Sequence, residues 1–195
     1  MIYINDHIEQ LNLDEALQII SEQRRNQALQ FRHEEGRRLC VAAYLLLKEG
    51  LQKEYGIIEN PIFCYAKSGK PSIKDFPEIH FNLSHCRAGA ICVIDKHPVG
   101  IDIESIREAK EGLVKYTMNE HEQDQIFSSS TPNIEFTRLW TQKEAILKLT
   151  GQGIINDLKQ VLADKSLYQL ETNTSPEGKY IYSVARYQHS ANPKD

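Results

Sequence analysis

Asp102 and Glu104, one residue apart in Gly100-Ile101-Asp102-Ile103-Glu104, are the first residues whose spacing bears on chemistry. In an extended strand residues i and i+2 project from the same face, so both acids are aimed at one spot. Like charges this close repel, and a cation between them relieves the repulsion; a solvated polar face on an edge strand is the plainer alternative. An oxygen-only set with no adjacent His or Cys favours a hard ion, magnesium before calcium. A second group lies in the run WTQKEAILK, where Trp140, Glu144 and Lys148 recur every four residues and share one helical face. A Glu144–Lys148 ion pair at this spacing is worth about 0.3 kcal/mol on a surface. It accounts for two of the three and leaves the chain's single tryptophan unexplained. An acid, a lysine and a large aromatic on one face read as the wall of a site handling phosphate.

A third segment is Phe81-Asn82-Leu83-Ser84-His85-Cys86. Neighbouring strand residues point to opposite faces, so Ser84 and His85 do not form a nucleophile–base pair, and neither do His85 and Cys86. Two readings stay open: a strand ending in a polar turn, or a histidine donating to a phosphate with a serine hydroxyl nearby. The basic residues Arg24, Arg25 and Arg38 precede this segment, as does Lys70 in a Gly-Lys-Pro turn. Each is either ordinary surface charge or an anion contact.

These residues need elements to position them. Ile2 and Ile4 open a sheet. Leu13, Leu17 and Ile20 recur with helical spacing, and Ala28 and Leu29 resume it after a polar stretch, so helix is expected from Leu13 to about Gln30. A stronger helix is expected from about His33 to Tyr55, its apolar face formed by Leu39, Ala42, Ala43, Leu46 and Leu47. Residues 61–65 read as a short strand and 68–71 as a turn. Ile79, Phe81 and Leu83 alternate with His80, Asn82 and Ser84 as a half-buried strand, and residues 88–95 read as a central one. Another strand carries Asp102 and Glu104. Helices follow at about 108–116, 119–127 and 133–149, the last closed by Gly151 and Gly153, which suit left-handed dihedrals. Two strands, about 167–172 and 180–187, precede a frayed HSANPKD end.

Helices then strands, twice, with the change near Pro98, predict two α+β halves, residues 1–97 and 98–195. The 195 residues carry 23 Lys and Arg against 27 Asp and Glu, a net charge of −4, with 41% hydrophobic residues. That balance excludes wholesale disorder and lacks the basic excess that nucleic-acid backbones demand. The apolar runs fall far short of the roughly 20 residues a bilayer needs. The MIYINDHIEQ start has no basic region followed by an apolar stretch. Cys40, Cys64, Cys86 and Cys92 include no C-x-x-C pair, and the histidines do not cluster, which argues for reduced thiols and against zinc. A cytoplasmic protein is expected, with no membrane or nucleic-acid partner.

In chain order, Gly69-Lys70-Pro71, Phe81-Asn82-x-Ser84-His85, Gly100–Glu104 and Trp140–Lys148 followed by Gly151-x-Gly153 resemble the signature of the 4′-phosphopantetheinyl transferase superfamily. The length and two-part layout resemble its surfactin-synthetase-activating (Sfp) type, not the short trimeric holo-acyl-carrier-protein synthases. The resemblance spans about Arg24 to Gly153. It implies a pseudo-twofold α+β fold, each half a small, mainly antiparallel sheet packed with helices. It also implies transfer of phosphopantetheine from coenzyme A to a serine of an apo acyl or peptidyl carrier protein, releasing adenosine 3′,5′-bisphosphate. By the same resemblance Asp102, Glu104 and Glu144 hold magnesium and Lys148 contacts the diphosphate; a serine hydroxyl needs a carboxylate to take its proton, directly or through a water, and Glu144, one helical turn from Lys148, is the expected base. His85, Arg38, Lys70 and one of Arg24 and Arg25 hold coenzyme A phosphates, and Ser84 lines the ligand. Leu39 stands where relatives commonly carry a hydroxyl, so one ligand contact there is lost or made from backbone. Two halves in one chain make a monomer sufficient. The rival expectations are a magnesium-dependent pyrophosphohydrolase built on the same acids, and a non-catalytic carrier- or coenzyme A-binding module. Arg107, Lys110 and Lys115 are a candidate docking patch for an acidic carrier.

Overall fold

The computed structural model describes residues 1–153 and 158–188; the HSANPKD end lies outside them. The chain opens on a strand, β1 (Ile2–Asn5), and two short helices, α1 (Leu13–Ile19) and α2 (Glu22–Leu29). The single helix expected from Leu13 to Gln30 is therefore two. Ile20 turns extended, and the Ser21 hydroxyl accepts the Arg24 N–H at 3.1 Å, starting a new helix. Ser is a strong N-cap, and this bond satisfies an amide that a continuous helix would have used internally. Helix α3 (Glu34–Tyr55) buries its predicted apolar face and ends on Gly56 at φ 70°.

The strands β2 (Phe63–Tyr65) and β3 (Pro71–Ile73) form a small hairpin. Then come β4 (His80–Cys86), β5 (Gly89–Asp95) and β6 (Val99–Ser105). Helices α4 (Glu111–Thr117), α5 (Glu120–Ser128) and α6 (Pro132–Thr150) lead to β7 (Tyr168–Thr174) and β8 (Tyr180–Tyr187). The fold is α+β. Two antiparallel three-stranded sheets are present, β1-β5-β4 and β6-β8-β7, one from each side of Pro98. The long helix α3 packs on the first and α6 on the second. Strand β5 is central, as its unbroken apolar run requires.

The sheets meet where β4 lies beside β6. Here side chains replace a backbone ladder: Asn82 Oδ1 accepts the Ile101 N–H at 3.1 Å and Ser84 Oγ accepts that of Ile103 at 3.3 Å. Asn82 and Ser84 are thus buried, not half-solvated as alternation along β4 predicts, because β6 covers the face they occupy. Ile91 and Val93 join Ile101, Ile103 and Val184 in one apolar cluster common to both sheets. Asp95–Arg186 at 2.9 Å and Tyr180 Oη–Asp6 at 3.1 Å tie the sheets further.

Gly100 explains how closely α6 approaches β6. A Cβ built there would stand 2.0 Å from the Ala145 carbonyl oxygen and 2.4 Å from the Leu149 nitrogen, both backbone atoms that cannot step aside. Buried Lys143 anchors the other side of α6. Its ammonium donates to Glu122 Oε2 at 2.7 Å, Thr117 O at 3.0 Å and Leu158 O at 2.8 Å. Cys40, Cys64, Cys86 and Cys92 are not bridged to one another, and Cys40 and Cys92 are buried. Among the described residues no helix is long and apolar enough to cross a membrane.

Candidate active site

The strand β6 sends Asp102 beneath the cleft between β4 and α6, where it is 4% exposed. Its Oδ1 receives the Ser84 hydroxyl at 2.8 Å and the Lys148 ammonium at 2.7 Å; its buried Oδ2 has no hydrogen-bond partner among the described residues. Lys148 also donates to Ser84 Oγ at 2.8 Å. The i,i+4 pair expected between Glu144 and Lys148 is thus not what Lys148 makes. A buried carboxylate across the junction outcompetes a half-buried one a turn away, because charge attraction strengthens where water is excluded.

Glu144 lines the cleft above, with Lys70, Leu83, Lys148 and Gly151, around a volume of about 270 Å³. Burial, then the Asp102 charge, raises the Glu144 carboxyl above the usual glutamate range, with Lys148 and Arg107 opposing. Glu104 is raised by the same two causes in the same order, opposed by Arg107, Trp140 and Lys148. Arg107 pairs with Glu104 at 3.5 Å and stacks over the Trp140 ring at 5.1 Å, so the tryptophan is a wall beside Glu104. Glu104 and Glu144 each feel the Asp102 charge, yet among the described residues no three His, Cys, Asp or Glu are gathered as a metal-ligating group. The donors nonetheless suit a hard cation: an unpartnered buried carboxylate oxygen, with two more carboxyls destabilised by its charge.

The raised values carry a sign for stability. A carboxyl whose folded pKa exceeds its unfolded one favours the folded chain below the ordinary range, and that contribution is lost as pH climbs through the raised value. With divalent ions chelated, Glu104→Gln is therefore expected to raise the melting temperature at neutral pH and to flatten its decline above the ordinary glutamate range. Thermal unfolding from pH 4 to 8 checks this, and an unchanged or lowered melting temperature would contradict it.

Lys70 sits in the turn of the β2–β3 hairpin, closed by Gly69 at φ 84°, and donates to Leu149 O at 2.7 Å, capping the end of α6. Burial lowers its pKa. His85 stays partly open to solvent with its ring edge toward Phe31 at 6.5 Å. Desolvation lowers its pKa, helped by Lys148 and Arg24.

The arginines behave differently from the lysines. Arg24, 8% exposed, donates to Cys40 O at 2.6 and 3.2 Å and to Gln27 at 2.9 Å, binding α2 to α3. Arg25 donates to Leu17 O at 2.6 Å. Arg38 is held by Glu34 at 2.6 Å and by Leu11 O, and it lines a groove with Glu34 and Leu39, away from the Lys70–Lys148 cleft. Sequence gives an arginine's charge and not its partner, and nearby carbonyls satisfy each guanidinium here. The Arg107, Lys110 and Lys115 patch is likewise balanced locally, by Glu104 at 3.5 Å, Glu108 at 3.7 Å and Glu111 at 2.6 Å. Reasoning from sequence missed two contributors. Asn82 lines the cleft and bridges to β6, and Arg107 belongs with Glu104 and Trp140. Their signals were the Asn inside Phe-Asn-x-Ser-His and the i,i+3 spacing from Glu104.

The sequence model of the 4′-phosphopantetheinyl transferase superfamily matches residues 98–190, which include β6, α6 and the closing strands. The chain is 28% identical over 156 residues to the 4′-phosphopantetheinyl transferase Sfp of Bacillus subtilis (strain 168), covering 78% of this chain and 70% of that protein. It is 36% identical over 113 residues to the 4′-phosphopantetheinyl transferase gsp of Aneurinibacillus migulanus, 57% of this chain and 47% of the other. To the 4′-phosphopantetheinyl transferase HetI of Nostoc sp. it is 35% identical over 136 residues, 65% and 57% of the two chains. With its paired α+β sheets and the acid–lysine cleft between them, the chain belongs to the 4′-phosphopantetheinyl transferase superfamily. Within it, this is an enzyme of the Sfp type.

Proposed function

We propose that the protein transfers the 4′-phosphopantetheine arm of coenzyme A to a serine hydroxyl of an apo acyl or peptidyl carrier protein, in a magnesium-dependent reaction. The new bond joins the serine oxygen to the phosphorus bearing the pantetheine arm. The bond that breaks releases adenosine 3′,5′-bisphosphate, and the serine proton goes to a carboxylate. The observation that carries this reading is the cleft itself, where Glu144 and Lys148 share a wall with Lys70 and Asp102 lies bonded to Lys148.

Asp102, Glu104 and Glu144 would hold the divalent ion. Bound there, it supplies charge neutralisation for the diphosphate. Residues 98–195 thus contribute the metal and catalytic groups and residues 1–97 the phosphate contacts, from Lys70 and His85; Arg38 and one of Arg24 and Arg25 join them only by leaving the carbonyl and Glu34 partners they hold here. Glu144 takes the serine proton, and it must be ionised to act. Activity is therefore lost on acidification as Glu144 becomes protonated. Lys148 neutralises charge building on the diphosphate as the bond breaks.

Lys148→Ala is expected to lower kcat by about 10²-fold or more, if it stabilises transition-state charge. A rise confined to KM would make it a binding residue instead. The reading as a whole is tested by intact-mass measurement of an apo carrier incubated with the enzyme, coenzyme A and magnesium. A gain of one phosphopantetheine, abolished by chelator, supports it. Hydrolysis of coenzyme A without any carrier would make the protein a pyrophosphohydrolase.

A further inference from the structure

Ser84 stands on β4, in the first sheet, yet every hydrogen-bond partner of its hydroxyl lies beyond Pro98. The O–H donates to Asp102 Oδ1 at 2.8 Å, and the oxygen accepts from Lys148 Nζ at 2.8 Å and the Ile103 N–H at 3.3 Å. A hydroxyl has one donor and two acceptor positions, so this one is fully used within the protein. The residue is 6% exposed. Such a hydroxyl has no capacity left for a ligand.

What it does hold is one end of Asp102. Oδ1 is gripped by Ser84 and Lys148 together, while Oδ2 is buried with no partner among the described residues. A carboxylate fixed through one oxygen keeps its rotamer and its second oxygen in place. We propose that Ser84 is a positioning residue, the hydroxyl that clamps Asp102 Oδ1 and so presents Oδ2 to a divalent cation. The inference rests on the cation site proposed above and gives Ser84 a role other than lining coenzyme A. Groups that orient a metal ligand typically matter by about 10–100-fold in metal affinity.

The test is Mn²⁺ binding to the protein without coenzyme A or carrier, read from the electron paramagnetic resonance signal of free Mn²⁺. Asp102→Asn is expected to abolish binding. Ser84→Ala is expected to weaken it by about 10-fold or more. Ser84→Thr keeps the hydroxyl and should restore it. Ser84→Cys, of similar size but a weak donor, should behave like Ala and serves if the alanine variant does not fold. In turnover Ser84→Ala should lower kcat and leave KM for coenzyme A unchanged. Wild-type Mn²⁺ affinity in both Ser84→Ala and Ser84→Cys, with binding lost in Asp102→Asn, would overturn the positioning role and leave the cation site standing. A rise in KM for coenzyme A alone would also overturn it, by making Ser84 a ligand contact. Wild-type affinity in Asp102→Asn would overturn the cation site itself.

Discussion

Glu144→Gln is expected to stop transfer, lowering kcat by about 10²–10⁴-fold, the range a positioned general base contributes. Coenzyme A binding should be largely retained, since the amide keeps the size of the side chain on the cleft wall and the lysines still face the phosphates. The periodicity of α6 sets Glu144 one turn from Lys148 on the face that lines the cleft. The glutamine amide cannot take the serine proton that the carboxylate would accept. Single-turnover transfer beside equilibrium binding of coenzyme A separates the two effects. Retained turnover would move the base elsewhere, to Glu104 or to a water.

Removing Lys143 should have the largest effect on the fold. Lys143 and Glu122 have side chains only 1% and 3% exposed, at 2.7 Å. Breaking such a pair leaves a buried carboxylate uncompensated, at a cost of about 3–5 kcal/mol. For a chain of this size that is a fall of roughly 6–20 °C in melting temperature. Lys143→Met is the variant to use, because it keeps the length of the side chain. Adding Glu122→Gln removes the stranded charge while keeping an oxygen for the Asn119 N–H that Glu122 now accepts at 2.8 Å. The double variant should therefore recover part of the loss. Calorimetry on the two variants checks this; equal melting temperatures would show that the carboxylate is not what destabilises Lys143→Met.

The contrast between these two lysines shows what could be read from the sequence. Lys148 and Glu144 fell on one face by spacing alone, and α6, Gly151 and the strand carrying Asp102 followed from local pattern and turn chemistry. Partners distant in sequence did not follow. Lys148 bonds Asp102, 46 residues away, and not its helical neighbour, because only the folded junction creates a buried acid there. The burial of Asn82 and Ser84 was invisible for the same reason: alternation along β4 describes one strand, and the covering strand β6 is supplied by topology. The break at Ser21 was hidden by an apolar period that resumes at Ala28 and Leu29 beyond it, although Ser at the head of a polar stretch is itself a cap signal. Arg24 and Arg38 looked like free cations because charge is visible in a sequence and a carbonyl partner is not.

Everything chemical in this account depends on one divalent ion shared by Asp102, Glu104 and Glu144 beside the diphosphate of coenzyme A. The most direct measurement is ³¹P relaxation of coenzyme A bound to the enzyme, with Mn²⁺ added as a paramagnetic stand-in for magnesium. The account predicts strong broadening of both diphosphate resonances, weak broadening of the 3′-phosphate, and loss of the effect in Asp102→Asn. Equal broadening of all three phosphorus signals, or broadening that survives Asp102→Asn, would place the ion somewhere other than on these carboxylates.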